Sequence, residues 1–90
     1  GTDYTVRLGF RPLMDDREGQ RVFDIKLQDQ IVESNVDIRQ LAESSDRVIE
    51  KEFHHIRVLN DLNLELIPQS NEANRAPIIN CIEVVREKGY

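Results

Sequence analysis

His54 and His55 are adjacent and are the first residues a metal ion could use. They lie in an alternating stretch, residues 47–59, that reads as a long strand. Successive side chains of a strand point to opposite faces, so without a bulge the two imidazoles cannot reach one ion. One is expected to face solvent and the other to line the sheet, and no metal site is expected. Asp15, Asp16 and Glu18 could offer oxygens to calcium, but their spacing departs from the D-x-[DN]-x-[DN]-G loop. They read as a solvated acidic turn. Cys81 is the single cysteine and cannot form an internal disulfide. Its apolar strand context predicts a buried, inert thiol. There is no G-x-S-x-G elbow, and the abundant carboxylates read as a mixed-charge surface. With no nucleophile-and-base set in view, the chain is not expected to be an enzyme, and no cofactor is expected.

The loops offer a different chemistry. Residues 11–19, 39–46 and 69–76 are polar and carry Arg, Asn, Asp, Gln and Ser, which can hydrogen-bond sugar hydroxyls. Loops at the end of a rigid scaffold are common sites of binding. These three contain no aromatic ring, which sugar sites usually use to cover the apolar face of a pyranose.

Several strands must hold those loops. Tyr4, Val6, Leu8 and Phe10 alternate with Thr5, Arg7, Gly9 and Arg11, the period of a half-buried strand, and Pro12 helps to end it. After the polar turn at residues 15–19, Phe23, Ile25 and Leu27 alternate with Asp24 and Lys26. A tight turn belongs at Gln28-Asp29 or Asp29-Gln30, although neither pair contains glycine. A third strand follows over residues 31–36. Residues 37–47 have room for one helical turn but are too short and polar for a packed helix, so they read as a long loop. Leu62, Leu64 and Leu66 mark a further strand, entered through Asn60-Asp61, and residues 68–77 are a loop by composition. Residues 78–85 are apolar on both sides except at Asn80 and Glu83, which predicts a central, well-covered strand. About six short strands without a long helix predict an all-β fold, an antiparallel sandwich.

Ninety residues make a single domain, here residues 1–90 with a core over 3–87. A domain of this size is marginally stable, and any unpaired strand matters. The charge of −5 is spread along the chain with no basic stripe, and the aromatics are only two Tyr and three Phe. That balance argues against nucleic acid. No apolar run approaches the ~18 residues of a membrane span, so no membrane insertion is expected. Nothing at the start reads as a signal peptide, and one cysteine does not decide the redox compartment.

"YTVRLGF", "GQRVFDIKLQDQIVESNVDI", "NLELIP" and "APIINCIEVV", in that order and spacing, resemble the second half of a malectin-like domain over residues 3–86. The most specific piece is Arg21-Val22-Phe23-Asp24, with Asp37-Ile38 thirteen residues on. The resemblance implies a jelly-roll-like, galactose-binding-like β-sandwich acting as a non-catalytic carbohydrate-binding module. It also implies an extracellular or periplasmic parent protein and a glycan as partner. Two departures stand against a simple transfer. Sugar-binding members place two adjacent aromatic residues where this chain has Met14 and Asp15, and an acidic residue near the position of Arg75. The N-terminal strands of the family pattern are missing, so the chain reads as an excised piece or as a compact version of the fold. Uncovered edges then predict self-association or a flanking segment in a larger protein.

The residues expected to meet a ligand are Arg11, Met14, Asp15, Asp16, Arg39, Asn74 and Arg75. Arg and Asn would donate to hydroxyls or carboxylates, Asp would accept, and the arginines favour an acidic glycan. The alternative is a structural or protein-interaction module with no sugar site.

Overall fold

A computed structural model of the chain describes residues 1–42 and 47–88. Its elements are β1 (Thr2–Phe10), β2 (Val22–Leu27), β3 (Gln30–Asp37), the short helix α1 (Ile38–Ala42), β4 (Ile49–Val58), β5 (Leu64–Pro68) and β6 (Cys81–Arg86), with a 3-10 turn at Ala73–Arg75. Two three-stranded antiparallel sheets result, in the orders β4-β1-β6 and β3-β2-β5. This is the expected all-β sandwich.

The alternation in β1 and β2 decides how the sheets meet. Val6, Leu8 and Phe10 from β1 pack with Phe23, Ile25 and Leu27 from β2, and all six are essentially inaccessible to water. Full burial of one such side chain is worth about 1.5–3 kcal/mol. The Phe10 and Phe23 rings lie 5.4 Å apart and tilted, a geometry that adds to their area burial. At one margin of the sandwich, Lys51 of β4 reaches across to Glu33 of β3 at 2.7 Å.

The β2–β3 hairpin turns at Gln28-Asp29, with φ of 49° and 64°. Both residues are left-handed, as a two-residue turn matched to strand twist requires, although neither is glycine. The Gln28 side chain offsets part of that cost. Its amide donates to the carbonyls of Arg57 and Asp61, and its carbonyl accepts from the Asn63 N–H, tying the hairpin to the β4–β5 loop.

Four expectations are corrected. First, residues 38–42 form a helix rather than a loop. The Asp37 carboxylate accepts the Gln40 N–H at 3.3 Å and caps it, and Ile38 and Ala42, four apart, bury one face. Residues 43–46, the rest of that expected loop, lie outside the described residues. Second, β6 is an edge strand, exposed along its whole length, not a covered central one. Ile82 and Val84 pair with Leu8 and Val6 and so face the core side, yet they remain 53% and 42% exposed because the opposite sheet does not cover them. Third, Cys81, which opens this edge strand, is exposed rather than buried. The accessible surface of 6250 Å² agrees with open flanks, since about 5400 Å² is typical of a folded chain of this mass.

Fourth, the two histidines share a side of the sheet. Tyr4 pairs with Ile56 and Val6 with Phe53, so Thr5 faces both His54 and His55 across a β-bulge. His55 takes the left-handed conformation, φ 59°, and both rings are exposed. Strict alternation fails where one extra residue enters the strand.

Candidate functional site

The loop from β1 to β2 is built from two turns closed by their own side chains. In the first, Asp16 N–H donates to the Leu13 carbonyl and the Asp16 carboxylate accepts the Leu13 N–H, both at 3.0 Å. In the second, Gln20 N–H donates to the Arg17 carbonyl at 3.1 Å, and the Gln20 side-chain carbonyl accepts the Arg17 N–H at 3.2 Å. Gly19 has φ 80°, open to glycine and strained for other residues. Its N–H donates to Asp37 at 2.6 Å.

Arg21 joins this loop to its neighbour. Its Nε meets the Asp16 carboxylate at 2.9 Å, and its guanidinium donates to the Ala76 carbonyl at 2.8 Å. Asp16 is therefore not a solvated member of an acidic turn, because its side chain is only 7% exposed and holds Arg21. Gln20 adds a second tie, donating to the Asn74 carbonyl at 2.9 Å. Together Gln20 and Arg21 lay the β5–β6 loop against the β1–β2 loop.

Between those loops is an open hollow of about 450 Å³, bordered by Asp15, Arg17, Glu18, Gly19, Gln20, Asn74 and Arg75. Three of the residues expected from sequence, Asp15, Asn74 and Arg75, meet here. Arg11, Asp16 and Arg39 instead surround a tighter recess above Phe23 and Ile38, where the Arg39 side chain donates to the Asp16 carbonyl at 3.2 Å. Met14 borders neither and is 84% exposed. Arg17, Glu18, Gly19 and Gln20 were not among the expected ligand residues. For Arg17, Glu18 and Gly19 the signal was the "DDREG" turn itself, whose position beside Asn74 depends on long-range contacts.

The hollow can donate hydrogen bonds from Arg17, Arg75 and Asn74 and accept them at Asp15 and Glu18. Arg75 is braced by Glu72 at 3.2 Å, three residues before it in the same turn. No aromatic ring borders the hollow among the described residues. Among the described residues, ligand atoms of Asp3, His55 and Glu87 converge beside the β4 bulge, within 4.8 Å of one another.

The motif that carried the family resemblance has structural roles. Arg21 ties two loops, Phe23 and Ile38 fill the core, and the Asp24 carboxylate accepts the N–H of Asn35, itself at φ 56°. Asp37 caps α1 and holds Gly19.

Comparison with curated proteins returns no match, and neither does comparison with solved structures. The family model described as the malectin domain matches residues 1–89, essentially the whole chain. The protein belongs to the malectin domain family, a family of carbohydrate-binding modules.

Proposed function

We propose that the chain is a non-catalytic carbohydrate-binding module of a larger secreted or surface protein, extracellular or periplasmic, and that its ligand site is the loop hollow. The observation that carries this reading is the convergence of Asp15, Arg17, Glu18, Asn74 and Arg75 around one open hollow at the end of the sandwich, in a chain of the malectin domain family. Its donors and acceptors suit hydroxyl-rich ligands, and Arg17 and Arg75 suit a carboxylate or sulfate on the sugar. Without an aromatic platform the affinity is expected to be modest. Titration with neutral and acidic oligosaccharides, followed by amide NMR, tests it. Shifts confined to residues 15–20 and 72–76 support the reading. No shift with any saccharide at millimolar concentration refutes it.

A second reading, a protein-interaction module, is favoured by the open β6 edge with Ile82, Val84 and Val85 exposed. Exposed apolar edge strands tend to gain a partner strand. In that reading the partner is a flanking segment of the same protein or a second copy.

A further inference from the structure

We propose that the β4 bulge forms a binding site for a divalent transition-metal ion of the zinc class, with Asp3, His55 and Glu87 as its protein ligands. One ligand atom from each lies within 4.8 Å of the others. Ligands about 2.0–2.2 Å from one tetrahedral ion sit about 3.3–3.5 Å apart, so the wider separations must close and the 2.6 Å His55–Glu87 contact must open slightly, both within reach of side-chain rotation.

The geometry is set by three separate elements. The bulge turns His54 and His55 to the same side of the sheet and holds His55 with its ring beside Glu87. Glu87, just past β6, is anchored to Asp3 because its N–H donates to the Asp3 carbonyl at 2.9 Å. One Glu87 oxygen accepts the His55 N–H at 2.6 Å and the Thr5 hydroxyl at 3.1 Å. The other meets His55 Nδ1 at 2.6 Å. That last contact brings an imidazole nitrogen against a carboxylate oxygen, two atoms that both ligate metal ions.

The donor set chooses the ion. One imidazole and two carboxylates suit zinc, cobalt or nickel, whereas calcium takes six to eight oxygens. Two carboxylates balance a dication, and water completes the coordination. Arg57, whose Nε lies 3.3 Å from Asp3, must yield one carboxylate oxygen, and at 63% exposure its side chain can swing into solvent. His54 is turned toward the Thr5 hydroxyl at 3.1 Å and is not one of the three ligands. The site sits at the start of β1, at the opposite end of that strand from the loop hollow, and is independent of sugar binding.

The test uses the whole chain in a Cys81→Ser background, since the exposed thiol would itself bind zinc. Zinc chloride is titrated by calorimetry, with histidine ring resonances followed by NMR. One ion per chain is expected, with the His55 ring shifted and the shift reversed by a chelator. His55→Asn retains a residue suited to positive φ and so preserves the bulge while removing the imidazole. It is expected to weaken binding at least tenfold, as are Glu87→Gln and Asp3→Asn, whereas His54→Gln leaves it within about twofold. The proposal fails if no binding is detected at 1 mM zinc, or if His55→Asn binds zinc as well as the parent. It fails equally if only the His54 ring responds.

Discussion

Removing Arg21 should cost more stability than breaking an ordinary surface ion pair. Its side chain is 16% exposed and that of its partner Asp16 only 7%, so the pair is shielded far more than an ordinary surface ion pair. Arg21→Ala deletes the 2.9 Å contact to Asp16 and the 2.8 Å bond to the Ala76 carbonyl. It leaves a nearly buried carboxylate, held among the described residues by the Leu13 N–H at 3.0 Å. Breaking a fully buried pair costs about 3–5 kcal/mol, and hydrogen bonds to charged groups are worth about 1.5–3 kcal/mol each. Discounting for the residual solvent contact of Arg21 gives a loss of about 2–3 kcal/mol, close to 10–20 °C in Tm for a domain of this size. Urea unfolding of the parent, Arg21→Ala, Asp16→Ala and the double variant closes a thermodynamic cycle. Because removing both partners leaves no orphaned charge, the double variant should lose less than the sum of the two single losses. A loss under about 0.5 kcal/mol in Arg21→Ala, or strictly additive single losses, would refute the argument that this pair fastens the two loops.

Phe23→Ala should cost about 3–5 kcal/mol, a large part of the stability of a small domain, because the ring is 1% exposed and packs on Phe10; urea denaturation reads it, and a loss below 1 kcal/mol would show that the core lies elsewhere. Asp29→Gly should raise stability by about 0.5 kcal/mol, since φ 64° is freely open to glycine and disfavoured for aspartate; an unchanged or lower midpoint would contradict the turn geometry. The lowered pKa of Glu87 makes a contribution that is fully present above its unfolded value and is lost as pH falls through its folded value. Glu87→Gln should therefore flatten the acid limb of the stability profile below about pH 4, and an identical acid limb in the variant would exclude it. If the open flank of β6 pairs with a second copy, the purified chain should associate at high concentration and Val84→Lys should suppress it; a parent chain that sediments as a monomer throughout rules this out.

Local pattern and tertiary outcome part company at identifiable residues. The alternation of Val6, Leu8 and Phe10 and of Phe23, Ile25 and Leu27 announced the two strands that form the core, and the position of the hairpin turn was legible without a glycine. The helix at Ile38–Ala42 was less so, because its five residues are held by the Asp37 cap and by burial of Ile38 and Ala42 rather than by propensity. The bulge at His54–His55 had no local signature and became visible only through the pairing of β4 with β1. In β6, apolarity on both faces suggested a covered central strand, but the strand is an exposed edge, because a residue pattern does not fix where a strand sits in its sheet.

The candidate site divides in the same way. The loops and their polar residues were plain from composition, and Asp15, Asn74 and Arg75 were named before their meeting was known. That Asp16 is held by Arg21 inside the loop, while Met14 stands apart, depends on contacts between residues far apart in the chain. Alternating side chains on a pleated strand are a local property, fixed by backbone stereochemistry within two residues, so order along the chain determines which faces are apolar and where turns occur. Which loops touch, which strand lies at an edge and that two adjacent histidines share a side of a sheet depend on register and closure. Those are set by packing summed over the whole chain, and only the folded molecule decides them.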